Sequence, residues 1–309
     1  MADDTKATPI RLAGGALGFN WLPVFVARER GIFKRHGLDV ELCRLGSVDK
    51  ATAAVRSGDA ELAISPPEGV LADAVAGGNL RLVAANCNCL PLTLVANARI
   101  RRIEELKGAV LGTSSLTEGT AIYTREMLAQ HGLQYPQDYS FALAGVHQGR
   151  WKALQEGTID AAVQPPPFNF LAIDAGYTDL GEVSDYLPEI AFTAVLGRLE
   201  WVQPNDAAVV ALLRALAEAT ALVYDESNDA STVPIMMEVT QADGAYAKRA
   251  LDYMRGKSAF ARSLEIPPSA LDKSIELMVK AGLLDEAAQD KARRAWDPRW
   301  ARRAASVAP

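Results

Sequence analysis

The chain has 309 residues, of which 49% are hydrophobic and 23% charged, a length and composition that fit two globular lobes of about 100–200 residues each. Its net charge of −6 argues against a nucleic-acid partner, because phosphate binding needs clustered Lys and Arg. No apolar run of about 18 residues is evident, so we also expect no membrane insertion.

The first 85 residues alternate between short apolar runs and amphipathic stretches. The apolar runs predict strands, and the stretches with apolar side chains three or four residues apart predict helices. The predicted strands are 10–13, 40–42, 61–64 and 80–85, and the predicted helices are 21–36, 49–56 and 69–76. Brief Gly-rich turns join them, which is typical of βαβ units around a mostly parallel sheet.

The segment 92–95 predicts a strand with no full helix before it, and we interpret it as a crossover into a second lobe. The β-branched apolar run 190–196 is the candidate return crossing. Between them the sequence predicts short helix 103–108, strand 109–112, helix 120–131, strand 141–144, helix 149–156, strand 161–163 and helix 168–175. From residue 206 the chain is nearly all helical, with caps and stops at Pro234, Pro267–Pro268 and Gly282. The predicted lobes are 9–91 with 196–309, and 92–195.

The cysteines and histidines show no metal or disulfide pattern. Cys87 and Cys89 are separated by one residue, whereas zinc sites use C-x₂₋₄-C with a second pair of ligands elsewhere. The histidines, His36, His131 and His147, are scattered along the chain. We therefore expect no metal and no cofactor.

The first ten residues, MADDTKATPI, contain neither a basic n-region nor an apolar h-region, so no signal peptide is visible. Either Met1 is the native start and the protein is cytoplasmic, or Met1 was added where a cleaved leader ended. A polar, acidic start suits an exported mature chain. We therefore favour a periplasmic location.

Four short segments match one family pattern in order and spacing. Gly31–Leu42 fits G-x-F-x-x-x-G-L-x-V-x-L, Gly58–Ala63 fits an approach to the third strand, Ile103–Gly108 fits an entry to the second lobe, and Leu154–Ala161 fits L-x-x-G-x-i-D-A. Together they resemble the NMT1/THI5-like substrate-binding proteins, which include the sulfonate, nitrate, taurine and pyrimidine-precursor binders of ABC transporters. The resemblance covers residues 9–285.

The resemblance implies an α/β fold of the type 2 periplasmic-binding-protein class, with two lobes, two crossover segments and a ligand cleft between the lobes. It also implies a non-catalytic solute-binding protein that captures a small organic ligand, anionic or heteroaromatic, by closing the cleft. Its partner would be an ABC permease, and we expect the protein itself to be a monomer. Asn86–Cys89 does not match the CCCFC motif of the pyrimidine-synthesising members, so that activity is not expected.

Candidate ligand contacts lie in the loops beyond the carboxyl ends of the predicted strands, where open parallel sheets bind ligands. They are Phe19, Asn20, Trp21, Ser65, Pro66, Glu68, Asn86, Ser114, Ser115, Thr117, Gly119, Thr120, Gln164 and Phe168. Phe19 and Trp21 suit a wall for a planar ligand, although both could belong to the core. The Ser/Thr-rich stretch 114–120 could cap a helix or hold an anion on its free N–H groups.

Two further features leave an alternative open. His147 with Arg150 fits an anion site, but a solvated helix start fits the pattern better. Cys89 as a nucleophile would need a base that activates its thiol, and none is evident nearby. The alternative to transport is an enzyme on the same scaffold, a desulfinase or decarboxylase of an aromatic acid, or a cytoplasmic ligand sensor.

Overall fold

The computed structural model of the chain describes residues 7–16 and 18–306. Its strands are β1 Thr8–Gly14, β2 Leu38–Arg44, β3 Leu62–Ser65, β4 Leu80–Cys87, β5 Thr93–Ala96, β6 Val110–Thr113, β7 Ser140–Leu143, β8 Ala161–Gln164, β9 Thr178–Glu182 and β10 Thr193–Arg198. They form two five-stranded sheets, in the orders β2-β1-β3-β10-β4 and β7-β6-β8-β5-β9. In each sheet four strands run one way, and β10 or β5 runs antiparallel to its neighbours.

Helices cover the faces of both sheets. They are α1 Leu22–Glu29, α2 Ile32–Arg35, α3 Val48–Ser57, α4 Glu68–Val75, α5 Thr120–Ala129, α6 His147–Gln155, α7 Phe168–Asp174, α8 Leu199–Val202, α9 Asp206–Tyr224, α10 Asp229–Thr240, α11 Gly244–Gly256, α12 Pro268–Lys280, α13 Gln289–Arg293 and α14 Arg299–Ala305. Short 3₁₀ turns occur at Phe19–Trp21, Ile103–Leu106, Val183–Asp185, Glu226–Asn228 and Glu286–Ala288.

The two sheets define two lobes, and the predicted two-lobed α/β architecture is confirmed. The first lobe comprises the first sheet with its helices, and the second lobe comprises the second sheet with α5, α6 and α7. The segments predicted to cross between lobes form β5 and β10. All of β10 pairs within the first sheet, so the chain has rejoined that sheet by residue 193 rather than at 196.

Two local expectations are wrong, and one strand has no counterpart in the sequence prediction. The helix predicted over 21–36 is broken into α1 and α2 at Gly31, whose φ of +64° is left-handed. Pro234 does not stop a helix but lies inside α10, where the buried Ile235 and Met236 hold the segment against the fold. Strand β9 was not predicted, because its sequence, TDLGE, is polar and contains glycine.

Helix α9 also contradicts the expectation that no apolar run of membrane-spanning length exists. Among the described residues, it is the helix long and apolar enough to cross a bilayer. In this structure α9 packs against α1 and α14, and Leu212, Leu213 and Leu216 along it are buried. An amphipathic helix that buries one face in a large core can have this composition.

We expect Gly31→Ala to lower the free energy of unfolding by about 1–2 kcal/mol, because a side chain in the left-handed region costs roughly that amount. Urea unfolding followed by circular dichroism measures the change. Gly256→Ala is the matched control, since an added methyl group there meets no atom within 4 Å and the helical backbone suits alanine. Equal stabilities for the two variants would contradict the expectation.

Candidate functional site

A cavity lies between the two lobes, at the edge where the parallel strands of both sheets end. Together with its open mouth it encloses about 530 Å³. It is lined by residues that follow strands β1, β3 and β6, by the first turn of α6, and by the two connections between the lobes. The lining residues are Gly15, Ala16, Asn20, Trp21, Val48, Ile64, Pro66, Leu92, Ser114, Gly119, Thr120, Val146, His147, Arg150, Phe192 and Thr193.

Some of the predicted contacts line this cavity and others lie behind it. The residues that line it are Asn20, Trp21, Pro66, Ser114, Gly119 and Thr120. The candidates that do not are Phe19, Ser65, Glu68, Asn86, Ser115, Thr117, Gln164 and Phe168. Sequence reasoning left out the small and aliphatic lining residues and those of the crossings, such as Leu92 and Phe192, because their types carry no chemical signal.

Arg150 is the charged residue of this lining, and it does not lie in a solvated helix start. Helix α6 carries it inward, its relative exposure is 1%, and one guanidinium nitrogen, Nε, is buried without a hydrogen-bond partner. No Asp or Glu of the described residues pairs with it. Burial lowers the pKa of Arg150 to about 10, so the group remains a cation at neutral pH.

His147 stands one turn before Arg150 and is electrically neutral. Burial, with Arg150 and Arg44 nearby, lowers the pKa of His147 to about 3. Arg150 Nη2 lies 3.4 Å from Nδ1 of the ring, and since a guanidinium only donates, Nδ1 is the acceptor and Nε2 carries the hydrogen. The cavity therefore presents one positive charge beside an uncharged ring.

Aromatic rings surround His147 from both lobes. Phe19 meets it edge-on at 5.4 Å between ring centroids and stacks on Phe192 at 6.1 Å, while Phe168 stacks on His147 at 6.5 Å. Trp21 lines the cavity but is completely buried, against the backbone of Gly14. Trp21 thus belongs to the hydrophobic core and also forms part of the cavity wall.

The polar candidates behind the lining mostly hold the fold together. The Asn86 amide donates to the carbonyl of Asn20 and to Thr193 Oγ1, both at 3.0 Å, and so joins three segments at the base of the cavity. The Ser115 hydroxyl accepts from the amides of residues 117 and 118 at 3.1 Å, which is a capping role. Gln164 differs, because its completely buried side-chain amide has no hydrogen-bond partner.

Hydrogen bonds also connect the lobes around the cavity. Ser115 Oγ donates to Asp49 at 2.9 Å, and Tyr123 Oη donates to Glu68 at 2.8 Å. Arg44 Nη2 donates to Gln148 Oε1 at 3.1 Å on another side. These bonds join α3, α4 and β2 of the first lobe to the second lobe, so the structure describes a cleft whose lobes are in contact.

The cysteines lie outside this lining. Cys87 is buried and Cys89 is partly buried. Burial raises the pKa of Cys89 to about 11 and that of Cys87 higher still. Both thiols are therefore protonated at neutral pH, the form in which a cysteine is a poor nucleophile.

Residues 18–230, about two thirds of the chain, match the NMT1/THI5-like family. The chain belongs to this family. The resemblance drawn from the four sequence motifs is confirmed. No curated protein sequence matches the chain.

Solved structures with the same fold include several ligand-binding proteins. The nitrate-binding protein NrtA from Synechocystis PCC 6803 is 14% identical with a TM-score of 0.83, covering 97% of this chain and 89% of that one. The ligand-binding component of an ABC-type import system from Staphylococcus aureus, solved with zinc, is 15% identical with a TM-score of 0.80, covering 97% and 100%. The alkanesulfonate-binding protein SsuA from Xanthomonas axonopodis pv. citri, bound to MOPS, is 16% identical with a TM-score of 0.75, covering 95% and 99%. The type 2 periplasmic-binding-protein fold expected from sequence is confirmed.

The zinc in the Staphylococcus aureus protein raises the question of a metal in this NMT1/THI5-like chain. Among residues 7–16 and 18–306, no three His, Cys, Asp or Glu side chains are grouped so that they could hold a metal ion. Glu68 and Glu118, two buried acidic groups beside the cavity, accept hydrogen bonds from hydroxyl and amide donors.

We expect Trp21→Ala to lower the free energy of unfolding by about 3–5 kcal/mol, because the side chain is fully buried. Trp300→Ala, at an equally buried site remote from the lining, should cost a similar amount. Denaturant unfolding of both variants measures the two changes in the free energy of unfolding. A Trp21→Ala protein as stable as wild type would show that Trp21 is a wall of the cavity without being core.

We expect Gly18→Ala to favour the open cleft. The added Cβ would lie 2.8–2.9 Å from the His147 ring across the lobe contact, while its φ of −102° is accessible to alanine. Such overpacking costs about 1–3 kcal/mol, which shifts the open–closed equilibrium by about 5- to 150-fold. Small-angle X-ray scattering should give a larger radius of gyration than for wild type or Gly256→Ala, with an unchanged melting temperature. Equal radii for all three proteins would rule out this contact as a control of closure.

Proposed function

We propose that this protein is the solute-binding component of an ABC importer and captures a small organic anion between its lobes. The observation that carries the proposal is Arg150, a buried cation in the lining of the cavity without an acidic partner. A charge held out of water in this way costs several kcal/mol unless something compensates it. A bound carboxylate or sulfonate would do so, through bidentate charge-assisted hydrogen bonds.

The rest of the lining supports an organic rather than an inorganic ligand. Trp21, Phe192, Leu92 and Val48 contribute apolar surface, which gains by covering a carbon skeleton. Thr120, in the same lining, offers a hydroxyl to the polar part of the ligand. Because the ring of His147 is neutral, Arg150 is the positive charge that the lining presents to a ligand. A small carboxylate or sulfonate with an apolar body fits this combination best.

Membership of the NMT1/THI5-like family and the fold shared with nitrate- and sulfonate-binding proteins support the transport role. We propose accordingly that the protein works in the periplasm and hands its ligand to an ABC permease, as a monomer. The enzymatic alternative gains no specific support, because both cysteine thiols near the cleft are protonated and neither lines it.

Native mass spectrometry of the purified protein tests the proposal first, by identifying any small molecule that it retains. Calorimetric titrations with benzoate, benzenesulfonate and ethanesulfonate then test the anion requirement, and benzamide serves as the neutral analogue of benzoate. We expect at least one anion to bind and benzamide not to bind. Binding of benzamide as tight as that of benzoate, or a retained cation, would contradict the proposed ligand class.

We expect Arg150→Met to weaken binding of those anions about 100-fold or more, since loss of one partner of a buried charge pair costs about 3–5 kcal/mol. The ligand-free variant should be at least as stable as wild type, because methionine fills similar space without a desolvated charge. Arg44→Met is the matched control, an exposed arginine at the cleft mouth whose loss should change affinity by less than about threefold. Unchanged anion affinity in Arg150→Met would refute the role of this residue.

A further inference from the structure

Two glutamates meet where the lobes touch beside the cavity. Glu68 is the first residue of α4 in the first lobe, and Glu118 precedes α5 in the second. Their relative exposures are 1% and 6%. A Cβ added at Gly69 would lie 2.5 Å from Glu118 Oε1, so the second-lobe carboxyl packs directly on the start of α4. We call Glu68 and Glu118 the interlobe acid pair.

Each carboxyl of the interlobe acid pair is hydrogen-bonded by the opposite lobe. Glu68 accepts from Tyr123 Oη at 2.8 Å and from the amide of Gly119 at 3.4 Å. Glu118 accepts from Thr52 Oγ1 at 3.4 Å. All three donors are neutral, and all three bonds break if the lobes separate. The environment of both carboxyls therefore depends on closure.

No described Lys or Arg forms an ion pair with the interlobe acid pair, and Asp49 on α3 adds negative charge beside Glu118. Other charged groups on the elements packed around the pair are engaged elsewhere or exposed. They are Arg56 with Asp73, Arg81 with backbone carbonyls, Arg125 with the Ala281 carbonyl, Lys280 with Glu126 and Glu276, Lys273 with Glu276, Arg293 with Asp272 and Asp290, and the exposed Lys50, Asp185 and Lys291.

We propose that the lobes close together with uptake of one proton by the interlobe acid pair, so that an alkaline medium favours the open cleft. The proposal rests on the proposed function only in taking closure as the step that captures the ligand. The proton comes from solvent as the cleft closes and returns to solvent when it opens. It neutralises one carboxyl, so that two buried anionic groups need not face each other.

The direction of the effect follows from the two states. In the closed form burial raises the pKa of Glu68 to about 7, and burial with the charges of Glu68 and Asp49 raises that of Glu118 well above its ordinary value of 4.5. With the lobes apart, water reaches both carboxyls and their pKa values return toward about 4.3. The contribution of the interlobe acid pair to closure is thus complete below pH about 4.5 and falls up to tenfold per pH unit, for one proton, as the pH rises through about 7.

Small-angle X-ray scattering of the ligand-free protein between pH 5 and pH 8 tests the proposal without any ligand, so its outcome is independent of whether anions bind. We expect the radius of gyration of wild type to rise with pH relative to that of the double variant Glu68→Gln with Glu118→Gln, which keeps the side-chain shapes but cannot ionise. His147 acts in the opposite direction below about pH 6.5, because closure buries its ring and lowers its pKa to about 3. It does so equally in both proteins, so the difference between them isolates the interlobe acid pair.

Glu126→Gln is the matched control, because Glu126 is also a glutamate of the second lobe that contacts the first, through Lys280 at 3.5 Å. Its scattering should depend on pH as that of wild type does. If circular dichroism shows that the double variant is unfolded, Glu118→Gln alone replaces it and should show a weaker pH dependence than wild type. The same pH dependence of the radius in wild type and in the folded glutamine variants would overturn the proposal.

Discussion

The guanidinium of Arg150 is held in the cleft without an acidic partner, and the character of the site depends on that charge. Helix α6 fixes its position, because the buried Ala153 and Leu154 of the same helix anchor it to the second lobe. The fold must supply the several kcal/mol that an uncompensated buried ion costs. A ligand anion removes this penalty in addition to making its own contacts, so the protein gains stability when the ligand binds. The same burial keeps His147 neutral, which leaves a single cation to set the charge of the ligand.

The positive and negative buried groups have different relations to closure. Arg150 and His147 both belong to α6, so their mutual geometry persists whether or not the first lobe is in contact. Glu68 and Glu118 come from opposite lobes and meet only when the cleft is shut. The groups that recognise charge therefore lie in one lobe, whereas the two carboxyls are brought together from both lobes by closure. This separation allows a change of pH to act on closure while the binding group keeps its charge.

Local pattern predicted most of the framework, because strands and helices of this fold follow period-2 and period-3.6 apolar spacing. It failed where tertiary structure overrides that spacing, as at Pro234 inside α10 and in the polar strand β9. In the site, the loop positions beyond the strands predicted six lining residues, among them Asn20 and Ser114. The sequence favours a solvent-exposed Arg150, because a helix that starts with His, Gln, Gly and Arg has a polar first turn. Its burial depends on the first lobe covering α6, which no local pattern contains.

Two glycines at the lobe contact, Gly18 and Gly69, allow the lobes to approach closely because they have no side chain. At Gly18 a single methyl group would meet the His147 ring, and at Gly69 it would meet the Glu118 carboxyl. The two glycines belong to the first lobe, and the groups that they admit belong to the second. Each admitted group is one whose proton or charge is set by burial, so close approach and electrostatics are coupled at both points. The lobes can shut tightly enough to desolvate His147 and Glu118 only because the facing backbone carries no side chain there.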